Sequence, residues 1–301
     1  MAAPQIHPTA FVAPSAQIGE DVIIGPCVVI EDDVVIGART RIDAFASIKR
    51  YTTMGEDNHV HSYAAVGGEP QDLKFHGEVT QLIIGNKNSI REFTTLHRGT
   101  EDGGNVTRIG DNNLFMAYTH VAHDCQVGSN IVMSNNATLA GHVIVEDNAI
   151  IGGLSAVHQF VRVGTHAFLG GMSGLTQDLP PWMLGVGNHA TVQSPNIVGL
   201  RRAKGSMDLL SAFKQAYRMT WYSGIPRPDA LMQLEAEYGH LPEIKGFIEF
   251  VSMLAMAVPG TVLGIGYIRG FVNGVFGTGF LASIYGSAAI LIIGFVVRSL
   301  P

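Results

Sequence analysis

Histidines and their polar neighbours recur in the middle of the chain at a spacing close to eighteen residues. Gly141 follows His123 by eighteen residues, and Gln159 follows Gly141 by the same interval. If eighteen residues make one turn of a repeating structure, the residues around these positions form a vertical stripe on one face. The stripe consists of His120, His123, Asp124, Gly141, His142, His158 and Gln159.

Three kinds of chemistry fit this stripe. Stacked histidines can bind a metal ion, although the chain has no HExxH or CxxC motif to support zinc. His123 can act as a general base whose imidazole is oriented by Asp124 or by a carbonyl group. The histidines can also serve only as hydrogen-bonding groups at turns. The length of the stripe, and its place beside two insertions in the chain, favours a functional role.

A general base needs a group from which it removes a proton. The chain has no GxSxG elbow, no P-loop and no GxGxxG fingerprint. The natural proton source is therefore a hydroxyl or amine of a bound substrate, which then attacks an activated acyl group. The oxyanion formed in that step needs a donor, and the backbone N–H of a glycine allows a substrate to approach closely. Gly141 is the candidate donor.

The element that positions the stripe is a six-residue repeat. Apolar residues, mostly aliphatic, recur at every sixth position from Ile6 to Val66 and, after two interruptions, again up to Leu175, giving 26 positions. A period of six fits neither a helix nor a single strand, and it is typical of a parallel β-helix built from hexapeptides. With three hexapeptides per coil, the sequence predicts between eight and nine coils. The repeat residue points inward, and a nearby Gly or Asn tolerates the turn geometry.

Two interruptions of the repeat predict surface loops. They cover residues 67–82 and 98–108, and an insertion in a solenoid commonly lies at its binding face. After Pro180 and Pro181 the pattern becomes helical. We expect helices from Ser206 onward, at 228–238 and at 242–251. The predicted organisation is a β-helix domain over 1–190, a small α-helical domain over 191–250 and a hydrophobic, glycine-rich tail over 251–301.

Composition excludes some classes of protein. A net charge of −6 and a pI near 6.0 argue against a nucleic-acid binder. Two cysteines cannot form a disulfide framework, which favours a reducing compartment such as the cytoplasm. The tail has no charge over residues 271–297, a stretch long enough to span a bilayer. It is either a membrane anchor that associates the chain with the inner membrane, a translation artefact or a buried helix.

Four short motifs carry a resemblance to a known family. They are QDLK at 71–74, HRGT at 97–100, AHDC at 122–125 and AVHQF at 156–160. In combination they closely resemble the UDP-N-acetylglucosamine acyltransferases, and the resemblance covers roughly residues 6–250. The six-residue repeat alone is shared by many acyltransferases, whereas the combined motifs are much more specific.

The resemblance implies a left-handed β-helix and a homotrimer with active sites between its subunits. It implies transfer of a (3R)-3-hydroxyacyl group from acyl carrier protein to the glucosamine 3-hydroxyl of UDP-N-acetylglucosamine, the first step of lipid A biosynthesis. His123 corresponds to the general base, Asp124 to the residue that orients it, and Gly141 to the backbone oxyanion donor. From the resemblance we also expect no cofactor, no metal and no covalent acyl-enzyme.

The resemblance also assigns residues to substrate binding. Gly171 and His189 match positions linked to acyl-chain length, and Asn196 and Arg202 match part of the nucleotide site. Val198 departs from the acidic residue that is common in the family. The full set of substrate-binding residues is Gln71, Asp72, Lys74, His120, His142, His158, Gln159, Gly171, His189, Asn196 and Arg202.

Two other activities use related scaffolds. One is the N-acyltransferase of the same pathway, which acts on an acylated glucosamine. The other is a zinc-dependent enzyme similar to γ-carbonic anhydrase. The QDLK motif and the C-terminal helical domain favour the O-acyltransferase.

Overall fold

The structure is a computed structural model that describes residues 2–203 and 206–254. From Gln5 to Leu175 the chain forms a left-handed parallel β-helix of 26 short strands, each of which holds one of the 26 repeat positions. The strands are β1 Gln5–Ile6, β2 Phe11–Val12, β3 Gln17–Ile18, β4 Ile23–Ile24, β5 Val29–Ile30, β6 Val35–Ile36, β7 Arg41–Ile42, β8 Ser47–Ile48, β9 Thr52–Met54, β10 His59–Val60, β11 Ala65–Gly68, β12 Gln81–Ile84, β13 Ser89–Ile90, β14 Thr95–His97, β15 Val106–Ile109, β16 Leu114–Phe115, β17 His120–Val121, β18 Gln126–Val127, β19 Val132–Met133, β20 Thr138–Leu139, β21 Ile144–Val145, β22 Ile150–Ile151, β23 Ala156–Val157, β24 Arg162–Val163, β25 Phe168–Leu169 and β26 Gly174–Leu175.

Every third strand belongs to the same sheet, so each coil is a triangle. Sheet A contains β1, β4, β7 and so on to β25, sheet B runs from β2 to β26, and sheet C from β3 to β24. All pairs within the coils are parallel; Ile24, for example, is in register with Ile42 one coil later. We name the turns between sheets the A–B, B–C and C–A corners.

The inward-facing repeat residues form one continuous apolar core. Ile30, Ile48 and Leu96 are fully buried, whereas Ile6 in the first coil is 44% exposed because it packs against a coil on one side only. Burial of an aliphatic side chain contributes about 1.5–3 kcal/mol, and here that gain is repeated at each strand. The predicted β-helix and its inward-facing positions are confirmed.

The predicted role at the turns is confirmed for asparagine, as at Asn112 and Asn130 with φ of 57° and 59°, and is wrong for glycine. From the corner that holds Asp21 onward, each regular corner is a turn whose third residue has a positive φ, and these residues include Phe45, Tyr63 and His142 but no glycine. The glycines that follow repeat residues instead allow the coils to approach each other. A Cβ on Gly37 would lie 2.4 Å from the carbonyl carbon of Gly55 in the next coil.

Both insertions lie at the B–C corner, in two successive coils. The first loop covers residues 69–80 and the second covers 98–105. The predicted boundaries were too wide, because β11 continues to Gly68, β12 begins at Gln81 and β15 begins at Val106.

The A–B corner carries a row of stacked aromatic side chains. Its third residues form an exposed aromatic ladder with ring centroids 4.9–5.1 Å apart, consisting of Phe45, Tyr63, Phe93 and Tyr118.

A hairpin and four helices follow the last coil. β27 (Met183–Gly187) extends sheet A, and β28 (Ala190–Pro195) pairs with it antiparallel. The helices are α1 Ile197–Arg202, α2 Met207–Tyr222, α3 Arg227–Tyr238 and α4 Pro242–Leu254. The last three confirm the predicted helices, and α2 begins as expected with Ser206, whose side chain accepts a hydrogen bond from the Leu209 amide at 3.0 Å. The short α1 was not predicted.

The predicted hydrophobic tail lies mostly outside the described residues, which end at residue 254. Within the part of the chain that the structure describes, no helix combines the length and the apolar character needed to cross a membrane. The proposed boundary at residue 190 falls on the first residue of β28.

Candidate active site

The stripe predicted from the eighteen-residue spacing lies at the B–C corner. His123 and Asp124 are the second and third residues of the turn between β17 and β18, and Gly141 and His142 occupy the same two positions one coil later. The backbone joins the two turns directly, since the His142 amide donates to the His123 carbonyl at 3.0 Å. The regular coil therefore brings these four residues together.

Asp124 fixes the orientation of the His123 ring. Its Oδ2 atom accepts a hydrogen bond from His123 Nδ1 at 2.7 Å, and its side chain is only 1% exposed. A carboxylate can only accept, so Nδ1 is the donor in this bond. In the tautomer that this bond selects for a neutral ring, the lone pair is on Nε2, which has no hydrogen-bond partner among the described residues.

The second loop holds the Asp124 carboxylate in place. The Thr100 amide donates to Oδ1 at 2.7 Å, and the Thr100 hydroxyl donates to Oδ2 at 2.6 Å. The backbone amide of Asp124 donates to Thr107 Oγ1 at 2.7 Å. A Cβ on Gly103 would lie 1.9 Å from the Asp124 carboxyl carbon, so only glycine fits there. Sequence analysis missed these contacts, although Thr100 ends the HRGT motif and lies in a predicted loop.

Gly141 packs directly against the imidazole of His123. A Cβ at this position would lie 2.6 Å from His123 Cε1 and 2.8 Å from Nε2. The glycine is therefore required for the ring to occupy its position. Its backbone N–H has no acceptor among the residues that the structure describes.

Two neighbouring histidines are held neutral by burial. His120 Nδ1 is 2.7 Å from Thr95 Oγ1, and burial together with the nearby His97 and His123 lowers the pKa of His120 to about 4. Burial likewise lowers the pKa of His97, whose Nδ1 donates to the Glu69 carbonyl in the first loop. His97 was not predicted as a site residue, although it is the first residue of the HRGT motif and could have been identified from it.

His142 has a different environment from His123. Its ring stacks on Phe160 at 4.5 Å and meets the His123 ring edge-on at 5.2 Å. His142 Nε2 is 3.7 Å from Asp124 Oδ2. In the coil above, His158 and Gln159 occupy the first and second turn positions, and His158 Nδ1 donates to the Gln159 carbonyl at 3.1 Å.

The first loop presents Lys74 beside this corner. Lys74 Nζ is 3.3 Å from Asp102 Oδ2 in the second loop, and its side chain is 78% exposed. Asp72 Oδ1 accepts a hydrogen bond from the Lys74 amide at 3.0 Å, while Gln71 is exposed. The base of the loop is fixed by the buried Arg98, which bonds Glu69 at 3.3 Å.

The remaining predicted site residues lie elsewhere in the chain. Gly171 is in an A–B turn, and His189 is in the turn of the β27–β28 hairpin. Asn196 caps α1 through its Oδ1, while its Nδ2 donates at 2.9 Å to the carbonyl of His166 at the C–A corner. Arg202 is exposed at the end of α1. Within one chain, the predicted site residues are therefore spread over the three corners of the β-helix and the segment that follows it.

His123, Asp124 and His142 could in principle hold a metal ion, because one ligand atom from each lies within 4.8 Å of the others. Both oxygens of Asp124 already accept hydrogen bonds from Thr100, and Oδ2 also accepts one from His123. A carboxylate with these partners orients an imidazole better than it ligates a metal. The arrangement suits an imidazole that accepts a proton at Nε2.

Comparison with known proteins identifies the family. Residues 178–256 match the family model for the second domain of UDP-N-acetylglucosamine O-acyltransferase, and residues 107–141 match the model for bacterial transferase hexapeptide repeats. An acyl-[acyl-carrier-protein]–UDP-N-acetylglucosamine O-acyltransferase from Burkholderia orbicola is 52% identical over 230 residues, which are 76% of this chain and 88% of that protein.

Other relatives extend the match over more of the chain. The protein of the same name from Stenotrophomonas maltophilia is 47% identical over 251 residues, covering 83% of this chain and 95% of that protein. The crystal structure of LpxA from Acinetobacter baumannii superposes with a TM-score of 0.79 at 40% identity, covering 81% of this chain and 95% of that one. The chain is therefore an acyltransferase and belongs to the acyl-[acyl-carrier-protein]–UDP-N-acetylglucosamine O-acyltransferase family.

Proposed function

We propose that the chain transfers a (3R)-3-hydroxyacyl group from acyl carrier protein to the glucosamine 3-hydroxyl of UDP-N-acetylglucosamine, as the first step of lipid A biosynthesis. The names of the relatives supply the donor and the acceptor. The observation that carries the mechanism is the chain of contacts from Thr100 through Asp124 to His123, which leaves His123 Nε2 without a hydrogen-bond partner while the ring packs against Gly141.

In this mechanism His123 Nε2 removes the proton from the 3-hydroxyl group. The resulting oxygen nucleophile attacks the thioester carbonyl carbon, and the new C–O bond forms as the carbonyl oxygen becomes an oxyanion. The Gly141 N–H donates to that oxyanion. When the C–S bond breaks, the imidazolium returns its proton to the leaving thiolate of the carrier protein.

No covalent acyl-enzyme is needed in this scheme. The nearby thiol of Cys125 is fully buried and donates to the Ala140 carbonyl at 3.2 Å. Burial raises the pKa of Cys125 to about 12, which makes it a poor nucleophile at neutral pH. Direct attack by the substrate hydroxyl therefore suits this site better than a two-step transfer.

A homotrimer is also part of the proposal. In one chain, His123 and Lys74 lie at the B–C corner, whereas Gly171 lies at the A–B corner and Asn196 bonds to the C–A corner. Three copies around an axis would allow corners of different chains to meet in one cleft. Gly171 and His189 would then bound the acyl chain, and Asn196 and Arg202 would contact the nucleotide.

We place the enzyme in the cytoplasm. Both cysteines are free, with Cys27 exposed and Cys125 buried, as expected for a protein in a reducing compartment. As a membrane anchor, residues 251–301 would associate the chain with the inner membrane. The test of this anchor compares how the full chain and residues 1–250 partition into membranes, and equal partitioning would refute the anchor.

The direct test of the activity is to incubate the full chain with UDP-N-acetylglucosamine and a mixture of (3R)-3-hydroxyacyl carrier proteins of different chain lengths. Mass spectrometry should detect an O-acylated nucleotide sugar, and it also identifies the preferred acyl length. Intact-protein mass spectra taken during turnover should show no acylated enzyme. An acylated enzyme would refute the direct mechanism. Parallel reactions supply the 3-amino analogue of the acceptor or an acylated glucosamine, and transfer only to one of these would refute the proposed acceptor.

A further inference from the structure

A second group of histidine and carboxylate side chains lies on the other side of the β-helix, in the third and fourth coils. Asp43 directly follows β7, His59 belongs to β10 and His61 directly follows β10. The coil register brings them together, since Arg41 pairs with His59 and the Asp43 amide donates to the Val60 carbonyl at 2.8 Å. The side chain of Val60 is fully buried, so the residues on either side of it face outward.

We propose that Asp43, His59 and His61 form a binding site for a divalent transition metal, with Zn²⁺ as the ion. Asp43 Oδ2 is 2.8 Å from His59 Nε2 and 3.6 Å from His61 Nδ1. One ligand atom from each residue lies within 4.8 Å of the other two. Bonds of about 2.0–2.1 Å to a tetrahedral zinc place ligand atoms about 3.3 Å apart, so only small side-chain movements are needed.

The donor set selects the class of metal. Two imidazole nitrogens and one carboxylate oxygen suit Zn²⁺, Co²⁺ and Ni²⁺, whereas Mg²⁺ and Ca²⁺ prefer sites made of oxygen alone. Three protein ligands leave a fourth position for water, or for Glu92, whose Oε1 is 3.8 Å from His61 Nδ1. The three side chains are 17–36% exposed, so an ion can enter from solvent.

Two of the three ligands already have the outer partners that metal ligands usually have. Asp43 Oδ1 accepts a hydrogen bond from Arg41 Nε at 2.7 Å, and the ion would replace the proton between Oδ2 and His59 Nε2. His61 Nε2 lies 3.4 Å from Ser89 Oγ, which leaves Nδ1 for the ion. The two imidazole rings stack with centroids 3.8 Å apart, which keeps their nitrogens on one side of the cluster.

The active-site cluster provides the contrast. Both oxygens of Asp124 accept hydrogen bonds from Thr100, and its side chain is 1% exposed. Asp43 Oδ2 accepts only the His59 hydrogen bond among the side chains that the structure describes, and its side chain is 21% exposed. Of two clusters with the same residue types, the one around Asp43 has a ligand oxygen that an ion can take.

The test is a Co²⁺ titration of the untagged full chain, followed by the visible absorption of tetrahedral Co²⁺ and by competition with Zn²⁺. The wild type should bind one equivalent per chain. Asp43→Asn and the double variant His59→Ala/His61→Ala should each weaken binding at least tenfold, since removing a ligand costs no less than removing an outer partner. The control variants His7→Ala and His123→Ala/His142→Ala should bind as the wild type does.

Thermal unfolding gives a second readout that also shows whether each variant folds. Saturating Zn²⁺ should raise the melting temperature of the wild type and of the controls by about 5 °C, but not that of Asp43→Asn. Absence of stoichiometric binding in the wild type would overturn the proposal. Binding that survives in Asp43→Asn and is lost in His123→Ala/His142→Ala would also overturn it and would assign the ion to the active site.

Discussion

The A–B and B–C corners of the same β-helix have the same turn and very different side chains. At the A–B corner the third turn residues include Tyr63 and Phe93, with φ near 60°, and their rings stack as part of an exposed ladder. At the B–C corner the equivalent residues include Asp124 and His142, with φ of 61°. A left-handed third turn residue is therefore shared by both kinds of corner and does not mark the candidate active site.

What distinguishes the B–C corner is the pair of loops inserted in two successive coils. The second loop supplies Thr100, which holds Asp124 from outside the regular coil. The ladder at the A–B corner needs no such support, because its rings contact one another directly. The repeat thus stacks equivalent turn residues along each corner. At the B–C corner, the inserted loops add the contacts that fix Asp124 and so distinguish this row of residues from the others.

The largest effect should come from removing the base. His123→Ala should lower kcat by about 10³-fold, within the range expected for general-base catalysis, because it removes the imidazole that Asp124 orients. Tyr63→Ala, a change of similar size in the ladder, should leave kcat unchanged. Steady-state kinetics on both variants measures the contrast, and a nearly fully active His123→Ala enzyme would contradict the assignment.

The next largest effect should come from Gly141→Ala. The added Cβ must displace the His123 ring, which would lie 2.6 Å away, so we expect kcat to fall about 100-fold. Gly153→Ala is the matched control, because Gly153 is the second residue of an A–B turn and the nearest atom to its added Cβ is a carbonyl oxygen at 3.2 Å. Equal activity losses in the two variants would show that the effect is not specific to the ring.

Protonation of His120 should destabilise the region beside the B–C corner at mildly acidic pH. The folded state holds the pKa of His120 at about 4, whereas an unfolded histidine titrates near 6.5, so the unfolded chain binds more protons as the pH falls below 6.5. The free energy of unfolding should drop by about 2 kcal/mol between pH 7 and pH 5 from this group. Denaturant unfolding of His120→Asn should show a pH dependence smaller by that amount, and identical curves would contradict the prediction.

A smaller effect on rate should follow from Thr100→Val. The change removes the hydroxyl that donates to Asp124 Oδ2 but keeps the backbone amide, so we expect kcat to fall about tenfold with a shifted pH–rate profile. Thr94→Val is the control, since Thr94 is also buried and hydrogen-bonded, to Thr119 at 3.1 Å near the A–B corner. Both variants should lose about 1 kcal/mol of stability, and only Thr100→Val should lose activity.

The smallest effect should be in the ladder itself. Phe93→Ala removes two stacked contacts, with Tyr63 and with Tyr118, and should lower the free energy of unfolding by about 1 kcal/mol without changing kcat. Chemical denaturation with a parallel activity assay measures both quantities. A drop in activity would show that the A–B corner takes part in the reaction and would weaken the contrast between the two corners.

The regular part of the molecule could be predicted from the sequence because one spacing controls it. A six-residue period fixes which side chains face inward, and an eighteen-residue period fixes which turns stack, so the spacing alone predicts that His123 lies beside Gly141. Asp43 and His61 are also eighteen residues apart. The same rule places these two residues one above the other, although the longer stripe is the more conspicuous pattern.

The irregular part could not be predicted, because the inserted loops have no period. Nothing in the spacing indicates that Thr100 turns back to bond Asp124, or that Gly103 packs on the same carboxylate. From the sequence, the glycines of the repeat were interpreted as turn residues. In the structure, Gly37 is required because the backbone of the neighbouring coil leaves no room for a Cβ. Such close approaches depend on the distance between coils, which the sequence does not state directly.

The spacing of paired strands also has a consequence for how the chain folds. Arg41 pairs with His59 eighteen residues away, but His59 pairs with Ser89 thirty residues away because the first loop intervenes. Closing the longer segment costs about 0.5 kcal/mol more in chain entropy, by the logarithmic dependence on loop length. In a solenoid, order spreads from each coil to its neighbour, so this step slows the spread only slightly. New loops can therefore be added at a corner with little penalty to assembly of the fold.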